Sequence, residues 1–190
     1  MGAPAERLEM QDQAQQADTS WARDLPRKRC SAGALIRNPE GALLIVKPTY
    51  RPDWLLPGGI VESGEAPLMS MIREVREEVG IEVQVHSLLY VDYLQADAEL
   101  GDALHFLFDC GTVSAAVAES ARAIDPELSD IRWASPEEAK TLLAAPIAKR
   151  LQQPPGHYLH QGQPQTAFFP CESPATAPAP SRYLAEDADP

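Results

Sequence analysis

Pro67 and Gly80 bracket a segment that suits one kind of regular structure. Proline is favoured in the first turn of a helix, where its missing N–H leaves no bond unmade, and glycine just past the last turn supplies a left-handed residue. Between them Leu68, Ile72, Val75 and Val79 recur at i, i+4, i+7 and i+11, an apolar stripe that must lie on a core. Glu74, Glu77 and Glu78 stand at i, i+3 and i+4 and face away from that stripe. Like charges at such spacings destabilise a bare helix by roughly 0.2–0.5 kcal/mol per pair. Hard divalent cations bound through carboxylate oxygens would offset the repulsion, and Mg²⁺ is the one that also bridges to phosphate oxygens. A solvated acidic face is the plainer account of a bare Glu-Glu pair. It leaves unexplained Glu65 ahead of the helix, Arg73 within it and the glycines at both ends.

The rest of the chain alternates strand and helix signals. Residues 1–28 are polar and rich in Gln, Ala, Asp and Glu, and read as an arm. Cys30 to Arg37 and Ala42 to Lys47 are apolar runs joined by Asn38-Pro39-Glu40-Gly41, the pattern of a hairpin. Prolines 48, 52 and 57 break the next stretch into a loop, a short strand around Trp54 to Leu56 and a tight bend at Gly58-Gly59. Beyond the helix, Ile81 to Gln95 and Ala103 to Val113 read as strands flanking an acidic loop, and Ile131 to Ala134 as a short strand. Ser135-Pro136-Glu137-Glu138 opens a helix with a capping box, and a second short helix runs from Pro146 to Leu151. Residues 152–190 are dominated by Pro, Gln, His and Ala, too poor in apolar surface to offset their conformational entropy, and are expected to be extended or disordered. The expected folded unit is residues 29–151, of the α/β class.

Charge excludes some partners. Sixteen Lys and Arg against 28 Asp and Glu leave a net charge of −12 and a pI near 4.7, a field that repels a polymeric nucleic-acid backbone or an anionic membrane. A small phosphorylated ligand stays compatible, because a bound cation inverts the local sign. No stretch reaches the length of a membrane span, and the N-terminus lacks a basic-then-apolar signal, so a cytoplasmic protein is expected. Cys30, Cys110 and Cys171 form no CxxC pair, which indicates neither a disulfide framework nor a zinc site.

From Gly59 to Ile81 the chain reads glycine, five residues, Glu65, seven residues, then Arg73-Glu74-Val75-Arg76-Glu77-Glu78-Val79-Gly80-Ile81. This resembles, at every fixed position, the signature of the Nudix hydrolases. The resemblance implies an α/β/α sandwich with a mixed sheet, whose helix presents carboxylates to Mg²⁺ or Mn²⁺ holding a diphosphate. It implies that Glu74, Glu77 and Glu78 ligate the metal together with a backbone carbonyl of Gly58 or Gly59. Glu65 would support that set from behind, and Arg73 would orient the glutamates. An ordinary i,i+4 pair between Arg73 and Glu77 is compatible with that role. The implied reaction is attack of water on a phosphorus of a nucleoside diphosphate linked to another moiety. In some members the general base is a loop glutamate ahead of a strand tryptophan; Glu127, before Trp133, fits that placing, with Glu119 as a second candidate. Tyr50 and Trp54 could stack on a base, although burial is the better account of Trp54, and Lys47 and Arg51 could meet phosphate. Family markers for ADP-ribose or dinucleoside polyphosphates are not cleanly present: Ala96 and Asp97 occupy the position of the first, and Tyr90 and Tyr93 fall early for the second. Many members are homodimers, and a homodimer is the expectation here by analogy. The rival readings are a non-catalytic nucleotide-binding module, from which acidic positions are usually missing, and diphosphate isomerase chemistry, which would want a reactive cysteine at the site.

Overall fold

The computed structural model describes residues 25–95, 101–153, 157–160 and 163–164. In chain order the elements are β1 (Arg29–Arg37), β2 (Leu43–Pro48), β3 (Gly58–Ile60), α1 (Pro67–Val79), β4 (Ser87–Leu94) and β5 (Ala103–Thr112). There follow α2 (Ala115–Ser120), β6 (Leu128–Ala134), α3 (Pro136–Leu142), α4 (Ala145–Leu151), β7 (His157–His160) and β8 (Gln163–Pro164). The sheet runs β6-β2-β1-β5-β4-β7-β8, with β3 also paired to β1. It is mixed: β1 with β5 and β4 with β7 are parallel, while the other pairs are antiparallel.

Period-two alternation divides the apolar side chains between two faces. Ala32, Ala34 and Ile36 of β1, Leu44 and Val46 of β2, and Phe108 and Cys110 of β5 meet Met71, Val75 and Val79 of α1. The intervening Leu35, Leu43, Ile45 and Leu107 turn to the other face and pack with Ala139 of α3, Leu143 just past its end and Ala148 of α4. Helices therefore cover both faces, which is the α/β/α arrangement expected. Each fully buried aliphatic side chain contributes about 1.5–3 kcal/mol, so α1 is held chiefly by its sheet-facing residues.

Several local expectations shift by a few residues. Leu68, expected on the apolar stripe, is 37% exposed, while Met71 is fully buried. The sheet thus meets the row 71, 75 and 79, and the first turn of α1 rests on the β3 end instead, where Ser70 Oγ donates to the Ile60 carbonyl at 3.1 Å. Trp54 to Leu56 makes isolated bridges, Val46 to Leu55 and Trp54 to Leu143, in place of a strand. Ile81, Val83 and Val85 alternate onto the α1 core without a strand neighbour, so β4 begins only at Ser87. Past the compositional boundary at 151, β7 lies parallel on β4 with Leu159 fully buried. Residues 1–24, Ala96, Asp97 and the tail from 165 lie outside the described residues.

Gly58 and Gly59 form β3 where a bend was expected. β1 pairs β2 only at its far end, Arg37 with Leu43, and β3 fills the space beside its near end, pairing Ala32 with Gly59 and Gly33 with Gly58. A Cβ on Gly58 would collide with the Ala32 carbonyl oxygen and stand 2.6 Å from Gly33 Cα, and φ is +141°. No relaxation of a flexible side chain can relieve a clash with backbone. Gly58→Ala is expected to lower stability by roughly 3 kcal/mol, measured by urea unfolding, with the loss in midpoint rather than slope.

Candidate active site

The two glycines also tie the sheet to the acidic helix. The Gly58 N–H donates to Glu78 Oε2 at 2.8 Å. A Cβ on Gly59 would run into the Glu74 carboxyl group, with Oε2 at 2.7 Å, so the absence of a side chain at 59 is what admits Glu74. Gly80 adopts φ 72° and caps α1 with its N–H on the Arg76 carbonyl. That ends the helix at Val79, directly after Glu78, as the bracket of Pro67 and Gly80 predicts.

Arg73 is the organising cation. Its Nε donates to Glu65 Oε1 at 3.0 Å and one amino group to Glu65 Oε2 at 3.0 Å, a bidentate pair. The other amino group reaches Glu74 Oε1 at 2.9 Å and Glu77 Oε2 at 3.0 Å. Arg73 therefore makes the i,i+4 pair with Glu77 and also holds two further carboxylates, Glu65 and Glu74. Glu65 is fixed in turn by the Glu62 N–H at 3.2 Å. Its pKa is lowered, first by the hydrogen bond from Arg73.

Glu78 sits deepest. Burial pushes its pKa up to about 8, against the opposing hydrogen bond from Gly58, and Glu74, Asp125 and Glu127 raise it further. Glu74 is raised too, chiefly by burial, despite Arg73. The loop before β6 thus brings Asp125 and Glu127 against α1. It is shaped by Asp125 Oδ1 accepting from the Glu127 N–H at 2.7 Å and by the Glu127 carbonyl accepting from the Thr49 N–H at 2.8 Å. Asp125 was not anticipated; only its place two residues before Glu127 marks it. Glu119 stands apart on α2, lining a shallow hollow with Asn38, Pro39 and Trp133.

Among the described residues no three His, Cys, Asp or Glu side chains converge into a cage for a metal ion. Arg73 accounts for this by drawing one oxygen each from Glu74 and Glu77. A full cage is not what Mg²⁺ requires, since it commonly binds through one or two carboxylates and keeps several waters. The donors at hand are hard oxygens: Glu65, Glu74 and Glu77 share one guanidinium, and Glu78 beside them has, among the described residues, only the Gly58 N–H. That chemistry fits a small dication.

A cleft of about 400 Å³ opens from Gly58 and Gly59 towards α4, with Tyr50 and Arg51 at its rim. Tyr50 is 70% exposed, and its hydroxyl pKa is raised by partial burial and then by Glu127 and Glu78, so it borders the acidic group. Trp54 instead packs on the α3–α4 side, with the Arg132 guanidinium 5.1 Å from its ring. Lys47 donates to the Pro52 carbonyl and Arg51 pairs with Asp53 at 3.0 Å. Cys110 is buried beside Met71 with its thiol pushed up to about 12 by burial, and so offers no reactive thiolate.

The NUDIX domain family matches residues 27–153, through every element that builds this site. The chain belongs to the Nudix family. A MutT-like protein of Streptomyces ambofaciens is 32% identical over 123 residues, covering 63% of this chain and 71% of that one. An RNA pyrophosphohydrolase of Hydrogenovibrio crunogenus is 41% identical over 54 residues, 28% of this chain and 33% of the relative. The chain thus spans about a third of the length of that relative. Among solved structures, a MutT protein from Methanosarcina mazei Go1 superposes with a TM-score of 0.55 at 26% identity, covering 66% of this chain and 91% of that one. A MutT NUDIX hydrolase from Burkholderia pseudomallei gives 0.55 at 25% identity, covering 65% and 96%. Among the described residues no helix is long and apolar enough to cross a membrane.

The Nudix helix carries a stability cost that a metal-free sample should reveal. Glu78 is raised from 4.5 to about 8, so its contribution to stability is full below pH 4.5 and is lost as pH rises through 8. Unfolding free energy in chelator is expected to fall across that window by roughly 5 kcal/mol at most, and the melting temperature with it. Glu78→Gln, which keeps an acceptor for Gly58, should flatten the profile and melt higher at pH 8.

Proposed function

We propose that this Nudix protein is a Mg²⁺-dependent pyrophosphohydrolase, with Mn²⁺ as an alternative metal, acting on a nucleoside diphosphate linked to another moiety. The observation that carries the reading is the seating of Glu74 and Glu78 against the Gly58-Gly59 strand at the mouth of a cleft, with Glu77 joined to Glu74 through Arg73. These three side chains, with a backbone carbonyl of Gly58 or Gly59, are the proposed holders of the dication. When bound, it would neutralise non-bridging phosphate oxygens and lower the pKa of a water.

The chain's own groups do the rest. Arg73 keeps Glu74 and Glu77 oriented through paired hydrogen bonds, and Glu65 keeps Arg73 from swinging out. Glu127 lies across from Glu78 on a loop anchored at both its N–H and its carbonyl, a position suited to taking a proton from the attacking water. The new O–P bond forms as the bridging P–O bond breaks, and the products are a nucleoside monophosphate and the phosphate of the linked moiety, or their equivalents. The RNA pyrophosphohydrolase and MutT relatives support phosphoanhydride cleavage as the reaction class. Retention of every acidic position in α1 argues against a binding-only module.

A panel of nucleoside triphosphates, nucleotide sugars, ADP-ribose, dinucleoside polyphosphates and coenzyme A, assayed with and without Mg²⁺, tests the reading. Glu77→Gln is expected to cut turnover by several orders of magnitude with the fold intact, because an exposed carboxylate contributes little packing. Glu127→Gln should cost about 10²- to 10⁴-fold in kcat, the range of a general base. Glu65→Gln should cost about 10- to 100-fold, through Arg73. Unchanged turnover in Glu77→Gln and Glu78→Gln together would return the chain to a ligand-binding role.

A further inference from the structure

Away from the carboxylates, the cleft floor carries polar side chains in the midst of an apolar face. Strand register aligns Ser31 of β1 with His105 of β5, and His105 with Asp92 of β4, a row across three adjacent strands. Leu35, Leu107 and Tyr90 occupy the same face one step further along. Ser31 Oγ lies 2.9 Å from His105 Nδ1. Gly33 leaves room beside the imidazole, where a Cβ would stand 3.4 Å from the ring. Arg150 of α4 closes over the row and donates from Nε to Asp92, with the two side chains 5% and 0% exposed.

An ion pair this deep is a weak source of stability, since well-packed apolar residues in its place serve as well or better. Tying α4 to β4 therefore does not by itself account for an arginine. The guanidinium has five N–H donors, and Nε uses one. Its amino groups make no other hydrogen bond among the described residues, and Arg150, His105 and Ser31 all line the cleft that begins at Gly58 and Gly59. Charge balance narrows what they meet. Asp92 offsets the charge of Arg150, and His105 is neutral, its pKa pushed down to about 3 by burial and then by Arg150. The floor presents oriented donors without net positive charge, which suits neutral acceptors better than a second phosphate.

We propose that Arg150, steadied by Asp92, is a specificity-determining residue whose amino groups donate to a carbonyl oxygen and an adjacent ring nitrogen of an uncharged heterocycle joined to the diphosphate. This rests on the proposed placement of the diphosphate at the carboxylate end. Guanine offers that acceptor pair on one edge, whereas adenine sets an amino donor against the arginine's donors.

Calorimetric titration of the full chain, in Mg²⁺, with the hydrolysis-resistant methylene analogues of GDP and ADP tests it. The guanosine probe is expected to bind roughly 5- to 150-fold tighter. A deaza analogue, with carbon in place of the acceptor ring nitrogen, should lose most of that advantage on the wild-type chain. Arg150→Lys keeps a charge beside Asp92 but lacks the fork, and should bring the ratio below about threefold with adenosine binding changed by less than about threefold. Equal binding of the two probes, binding of neither, or a ratio that survives both the deaza probe and Arg150→Lys overturns the proposal. The deaza comparison needs no substitution, so a variant that fails to fold leaves the test intact. Turnover of the nucleotide panel above, followed in parallel, separates the two readings: discrimination between the probes without turnover of any panel member overturns the hydrolase, and turnover without discrimination overturns the role of Arg150.

Discussion

The close approach of β3 to β1 is the constraint on which the site depends. Two successive residues without side chains let this strand press against Ala32 and Gly33 while also receiving the helix. Gly58 lends its N–H to Glu78, and the place where a Gly59 Cβ would stand is taken by Glu74. Backbone and carboxylates are therefore positioned by one contact rather than two. A side chain at Gly58 would force β3 off β1, and one at Gly59 would displace the Glu74 carboxyl group of α1.

That arrangement concentrates negative charge beyond what local cations balance. Arg73 serves Glu65, Glu74 and Glu77 at once, and the remaining repulsion, joined by Asp125 and Glu127, falls on the least solvated member, Glu78. Surface packing elsewhere in α1 cannot relieve this, because Met71, Val75 and Val79 are already fully buried. A fold that tolerates such a group stores unfavourable electrostatics at one point and offsets it through the core on the opposite side of the same helix. Dications suit this point because their charge density matches hard carboxylate oxygens, and the cleft beside it leaves room for a diphosphate.

The two ends of the cleft differ in kind. Near Gly58 and Gly59 the field is strongly negative, so a phosphorylated ligand needs a cation to approach. Beneath α4 the polar groups cancel: Arg150 against Asp92, and a neutral His105 against Ser31. A cleft with one charged end and one neutral, donor-lined end orients an elongated ligand that is itself charged at one end.

Much of this was legible locally. The helix from Pro67 to Gly80, the carboxylate face, the hairpin about Asn38 to Gly41 and the capping box at Ser135 depend on spacings of a few residues, where backbone geometry and short-range hydrogen bonds decide. Leu68 and Met71 traded places because the stripe shows which residues share a face, whereas the sheet decides which edge of that face is covered. The approach of Asp125 and Glu127 to Glu78 and the buried pairing of Arg150 with Asp92 join residues far apart in sequence, and β7 beside β4 likewise bridges a long separation. By itself the sequence determined the acidic helix and its boundaries, because helical periodicity and capping are properties of neighbours. Only the tertiary structure decided which groups face that helix and what lies at the other end of the cleft, because close packing of strands and loops sets those distances and no short-range rule does.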